Sequence, residues 1–182
     1  MRLSSMKLVR SLLMLCSLTL VLAGCGLGDA AKKIWEVVKD PDVQVGEEDE
    51  QKSLVTLMVH HEAGANMNDF GEPAPVDLWI FQLTDKDKFA DAEYWELTSK
   101  PRNALDNEFV DMVEETFKPG ETRTIGEIEL EPKTSYIGVV TGFANLSESQ
   151  WRTVKKVRAV GKKYDALILT FDQTTSIKLE EL

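Results

Sequence analysis

Residues 53–83 read SLVTLMVHHEAGANMNDFGEPAPVDLWIFQL, and their reading decides the fold. The first part, Ser53 to His61, is apolar and β-branched. As a strand it puts Val55, Leu57 and Val59 on one face and Leu54, Thr56 and Met58 on the other. Apolar residues on both faces predict a central or covered strand. The last part, Val76 to Leu83, predicts a second strand. Between them, Glu62 to Pro75 is rich in Gly, Asn, Asp and Pro, which cannot sustain a ladder. The stretch is therefore strand, long loop, strand. A loop of 12 or so residues in a compact domain is usually functional or disordered.

Working outward, Asp85 to Leu97 reads as a helix with Phe89, Ala92, Tyr94, Trp95 and Leu97 on one side and Asp85 and Asp91 as caps. Ser99-Lys100-Pro101 ends it, and Arg102 to Asn107 holds another turn. Strands are predicted at Phe109 to Phe117, at Thr122 to Leu130 with a bulge near Gly126, and at Tyr136 to Phe143. Gln150 to Val157, Ala166 to Phe171 and Ser176 to Leu179 complete the set, with a basic loop from Arg158 to Asp165. Lys118-Pro119-Gly120-Glu121, Glu131 to Thr134 and Asp172 to Thr174 supply turns. Seven or eight short strands with one helical insertion predict an all-β, two-sheet β-sandwich over residues 53–182. Trp79 and Trp151 are expected in the core, with Trp95 pinning the helical element to the sandwich.

Upstream, Arg2, Lys7 and Arg10 precede an apolar run from Leu12 to Leu22. This is the charged head and short apolar core of a signal peptide, too short for a spanning helix of about 20 residues. Leu22-Ala23-Gly24-Cys25 then resembles the lipobox of bacterial lipoproteins. That resemblance implies cleavage after Gly24 and a diacylglyceryl thioether and N-acyl group on Cys25. Several acyl chains make attachment effectively permanent, where one alone gives reversible binding. Gly26, rather than Asp, fits sorting to the outer membrane. Residues 1–24 are thus expected as signal peptide and 25–52 as lipidated N-terminus and tether. Asp29 to about Lys39 could form a short helix with Ile34, Trp35, Val37 and Val38 on its apolar side, either a transient feature or one that docks on membrane or domain. The acidic run Glu47-Glu48-Asp49-Glu50 follows. Fully extended, Gly26 to Gln51 would reach about 85 Å.

The 182 residues carry a formal net charge of −10, and loss of the signal peptide removes cations only. Such acidity argues against nonspecific nucleic-acid binding. Cys16 leaves with the signal and Cys25 is consumed by lipid, so no intramolecular disulfide is expected. No catalytic, cofactor or metal motif is legible. His60 and His61 are adjacent on a strand and point to opposite faces, with one expected at the surface and the other half-buried. No nucleophile elbow or phosphate-cradling glycine loop occurs. Arg152, Lys155, Lys156, Arg158, Lys162 and Lys163 form a basic segment without an intervening acid. It reads as protection of an edge strand or as an electrostatic patch for an acidic partner or membrane.

One ordered set of residues carries a resemblance. Asn66-Met67-Asn68, Gly71, Pro73 and Pro75 lead into Val76-Asp77-Leu78-Trp79-Ile80-Phe81-Gln82-Leu83. Phe89, Ala92, Tyr94-Trp95, Leu97 and Pro119-Gly120 follow, then Tyr136-Ile137-Gly138-Val139-Val140, Phe143 and Trp151-Arg152. The set resembles the TssJ family of type VI secretion outer-membrane lipoproteins over roughly Leu54 to Leu179. The resemblance implies a transthyretin-like sandwich, no enzymatic activity and no cofactor. It further implies anchorage in the outer membrane by the N-terminal lipid and binding to the C-terminal periplasmic region of TssM, with other membrane-complex subunits as further partners. The family's contact loop corresponds to Glu62 to Pro75, which makes Asn66, Met67, Asn68, Asp69 and Phe70 the partner-binding residues. Composition alone leaves two readings of Met67 and Phe70: anchors for a partner pocket, or caps folded onto the sandwich edge. A periplasmic ligand carrier and a strand-adding assembly chaperone are the alternatives from other classes.

Overall fold

A computed structural model describes residues 51–182. Cys25, the signal peptide, the predicted helix from Asp29 and the acidic run lie outside the described residues. Eight strands, β1 (Leu54–His61), β2 (Val76–Leu83), β3 (Phe109–Phe117), β4 (Thr122–Glu129), β5 (Tyr136–Thr141), β6 (Arg152–Lys156), β7 (Lys163–Phe171) and β8 (Thr174–Glu181), form two four-stranded sheets. One sheet has the order β4-β1-β7-β8, the other β3-β2-β5-β6. β1 and β7 run parallel and every other neighbouring pair is antiparallel.

The core follows from strand alternation. Val55, Leu57 and Val59 of β1, with Ala166 and Ile168 of β7, face Leu78 and Ile80 of β2 and Ile137 and Val139 of β5. β1 is central, but its outer face is not covered: Met58 is 45 % exposed. β2 is the strand buried on both sides. Trp79, Phe81 and Leu83 point away from the sandwich interior into a second cluster with Phe89, Leu97 and Leu105 of the helical insertion. This explains why VDLWIFQL is almost continuously apolar. Gly138 permits the close approach, because a Cβ there would lie 2.8 Å from the Phe89 ring.

The insertion departs from the sequence reading. The single helix expected over Asp85 to Leu97 is two, α1 (Asp87–Asp91) and α2 (Tyr94–Ser99), followed by α3 (Pro101–Leu105) and a 3-10 turn at Asp106–Glu108. Lys86 and Glu93 occupy the N-cap positions, not Asp85 and Asp91, and Glu93 forms a capping box with Glu96. The break at Ala92, which is extended, has a partner: the Arg152 guanidinium donates to the Phe89 and Ala92 carbonyls at 3.1 and 2.8 Å. A cation thus satisfies carbonyls at the end of α1 that the helix leaves unpaired.

Trp95 does not pin the insertion; it is 68 % exposed. Tyr94 does so instead, with edge-to-face contacts to Trp79 and Trp151 at 6.1 and 5.5 Å. Trp79 is buried as expected, whereas Trp151 is only half-buried. The expected bulge is present: Leu57 pairs with Gly126 and Met58 with Thr124, leaving Ile125 as the extra residue beside Gly126 at φ +123. The basic loop ends earlier than expected, because β7 begins at Lys163 alongside Leu54.

Candidate functional site

Strand directions give the sandwich two ends. β1 and β7 finish at the end that carries loop 62–75, the β3–β4 turn and residues 142–151. Loop 62–75 is a small ordered hairpin. Met67 bridges Pro73, the Asn68 N–H donates to the Glu72 carbonyl, and the Gly71 N–H donates to the Asn68 carbonyl, both at 2.9 Å. Asn68 organises the turn, since its Oδ1 accepts from the N–H groups of Phe70 and Glu72, each at 2.9 Å. Gly71 takes the left-handed conformation, φ +74, that closes it.

Asn66 is nearly fully buried and serves the loop from inside. Its Nδ2 donates to the Pro75 carbonyl at 2.8 Å, and its Oδ1 accepts from the Ala144 N–H at 2.8 Å. The amide thus fastens both limbs of the hairpin to the neighbouring loop. Ala65 adds a second tie, accepting at its carbonyl from the Gln173 N–H at 3.2 Å. His61 adds a third. It is fully buried, whereas the sequence suggested half-burial. Its Nδ1 lies 2.7 Å from the Thr170 hydroxyl and its Nε2 3.3 Å from the Ala74 carbonyl. Burial pushes its pKa below the usual imidazole value, so the ring is neutral, with Nε2–H donating and Nδ1 accepting.

The five residues expected to bind a partner therefore divide. Asn66 is internal, and Asn68 is half-buried and spends its side-chain oxygen on the turn. Met67, Asp69 and Phe70 are exposed, Met67 to 42 % and Phe70 to 88 %. Neither Met67 nor Phe70 folds back to cap the core. The sequence reading missed the supporting residues Ala144, Gln173, Thr170 and His61; only the apolar-to-polar change at Thr170 and His61, at the ends of apolar strands, marks a buried polar pair.

Open surface grooves of about 500 Å³ run along Trp95, Glu96, Ser99 and Lys100 and of about 290 Å³ beside Thr56, Met58, Ala166 and Lys178. The void between the sheets beside Leu57, Ile80 and Ile137 amounts to about 10 Å³, the space of one water. Among the described residues, no three His, Cys, Asp or Glu are placed to hold a metal ion, and no helix is long and apolar enough to cross a membrane.

The chain is a two-sheet β-sandwich that carries, at one end, a hydrogen-bonded loop with an exposed apolar tip. Residues 53–181 match the sequence model of the T6SS-SciN family, described as type VI secretion lipoprotein, VasD, EvfM, TssJ; the chain belongs to this family. The lipoprotein TssJ1 of Pseudomonas aeruginosa has a similar structure, with 26 % identity and a TM-score of 0.67 over 71 % of this chain and 98 % of that one. Serratia marcescens Lip, described as a membrane-bound component of the type VI secretion system, shares the fold at 19 % identity and a TM-score of 0.60, over 71 % and 96 % of the chains. So does a chain in a structure of the TssM C-terminal domain from EAEC, at 20 % identity and 0.57, over 68 % and 99 %. No curated protein matches the sequence significantly. The family's description is one of type VI secretion lipoproteins.

Proposed function

We propose that this chain is anchored in the outer membrane through lipid on Cys25 and holds the type VI membrane complex there, by binding the periplasmic C-terminal region of TssM through loop 62–75. The observation that carries the reading is Phe70, 88 % exposed at the tip of a loop that is hydrogen-bonded on three sides. An aromatic held out on a rigid support loses little entropy on binding and fits the anchor of a partner pocket. Met67 and Asp69 supply the adjoining contact, while Asn66 and Asn68 set the loop's shape. Membership in the type VI secretion lipoprotein family supports the choice of partner.

The test is a pull-down from envelope extract with the chain from Gly26 onward. Capture of TssM that is lost when residues 66–70 are replaced by a Gly-Ser segment supports the loop. Capture that survives replacement removes it. Separately, Cys25→Ser should abolish outer-membrane fractionation, and unchanged fractionation would remove the lipid anchor.

A further inference from the structure

The end opposite loop 62–75 carries a cationic surface that loop binding does not use. β1 and β7 start there, β6 and β8 finish there, and the β4–β5 turn lies between. The backbone knits these segments together: Ser53 N–H to the Ala159 carbonyl at 2.7 Å, Val157 N–H to Ser135 at 2.9 Å, and Gly161 N–H to Gln51 at 2.9 Å. Lys133, Lys155, Lys156, Arg158 and Lys163 are all exposed on this end.

None of the five has an acid partner among the described residues, although acids outnumber bases in this chain. Four carboxylates at this end are engaged by other lysines, while Asp165, on the same face of β7 as Lys163, is exposed and has no ion pair among the described residues. Glu129 and Glu131 take Lys52, Glu181 takes Lys162, and Glu180 takes Lys178. Arg152 is withdrawn from the surface by the α1 carbonyls. Protection of an edge accounts for Lys155 and Lys156, because β6 is an edge strand. It does not account for Lys133 in a turn, Arg158 in a loop, or Lys163 at the start of the interior strand β7.

The N-terminal segment joins the sandwich at this end, through Gln51, Lys52 and Ser53. If that segment carries the membrane anchor, as proposed above, the cationic end is the end nearest the tether, whose reach of about 85 Å leaves the orientation to the charges. Unpaired lysines and arginines held near an anionic bilayer are attracted to it within about a Debye length. We infer that Lys133, Lys155, Lys156, Arg158 and Lys163 form a contact surface for anionic phospholipid headgroups, which orients the sandwich with loop 62–75 pointing away from the membrane. The acidic run 47–50 immediately precedes Gln51 and is the competing occupant.

The test uses the acylated protein reconstituted into vesicles of phosphatidylcholine alone or with phosphatidylglycerol added as the anionic lipid. Lysines are acetylated briefly and read by mass spectrometry. Acetylation of Lys133, Lys155, Lys156 and Lys163 should fall severalfold in the anionic vesicles at low salt, and recover at high salt. Lys118, in the β3–β4 turn at the opposite end, should not change. The double variant Lys155→Glu, Lys156→Glu should lose the protection at Lys133 and Lys163. Equal labelling in both vesicles overturns the inference. Protection seen only after Glu47, Glu48, Asp49 and Glu50 are neutralised also overturns it, and assigns the surface to the acidic run. Protection that appears only when an envelope protein is added overturns it in favour of an acidic protein partner. Flotation with phosphatidylcholine vesicles reports the lipid anchor independently, so failure of the anchor and failure of the cationic contact are distinguishable.

Discussion

Asn66→Ala should damage partner binding from beneath the contact surface. The substitution removes two good hydrogen bonds of 2.8 Å, to the Pro75 carbonyl and from the Ala144 N–H, and a weaker one to the Ala74 carbonyl at 3.4 Å. Each good bond contributes about 1 kcal/mol net, and a freed buried group costs more than that if water cannot reach it. Ala144 and Pro75 lie near the surface, so water rescues part of the loss. The expected destabilisation is about 1–3 kcal/mol, a fall of roughly 3–10 °C in Tm for a domain of this size. Urea melts followed by Trp fluorescence should show a lower midpoint at constant m. Affinity for the TssM region should fall as well, because the loop loses its fastening to residue 144. Asn66→Asp separates the roles of the two amide atoms. It retains the acceptor for Ala144 but turns a carboxylate toward two carbonyls, which raises its folded pKa. Its deficit should therefore exceed that of Ala at neutral pH and shrink as acid protonates it. A stability change below about 0.5 kcal/mol, as at an ordinary surface position, would refute this account of Asn66.

Three further outcomes test the framework. Gly138→Ala should cost about 1–3 kcal/mol, since its Cβ would meet the buried Phe89 ring at 2.8 and 2.9 Å; denaturant melts measure it. Tyr94→Ala should cost about 2 kcal/mol through its aromatic contacts, whereas Trp95→Ala should stay within about 0.5 kcal/mol; the reverse order would restore Trp95 as the pin. His61 is held neutral in the fold and its pKa lies below the ordinary 6.5. The unfolded chain therefore binds the proton first, and stability is lost as pH falls through 6.5 toward the lower folded value. His61→Gln should flatten that slope in melts between neutral pH and the range where carboxylates begin to titrate.

Much of the architecture is legible in the sequence because strand alternation and turn chemistry agree. Both flanking strands of the loop, the Gly126 bulge and the β7–β8 turn all lie where those rules put them. The helical insertion is less legible. Its break depends on Arg152, some sixty residues away, reaching the Phe89 and Ala92 carbonyls, and no local pattern records such a partner. Trp95 misleads for a related reason: on so short a helix, the choice of which aromatic faces inward is made by Trp79 and Trp151 on the sheet beneath. The loop is readable from its Gly, Asn, Asp and Pro, but composition leaves open whether Met67 and Phe70 fold back, and only the structure shows both exposed. The internal role of Asn66 is not readable either, because an asparagine in a loop looks the same whether its amide meets water or two backbone groups.

The central claim is that the tip of loop 62–75 grips TssM. Calorimetric titration of the chain from Gly26 onward with the periplasmic C-terminal region of TssM, wild type against Phe70→Ala, tests it most directly. Phe70 is 88 % exposed, so its removal should leave Tm unchanged. As a buried anchor in the complex it should contribute about 2 kcal/mol or more, which weakens Kd by roughly thirtyfold. An unchanged Kd with a folded variant would contradict the account.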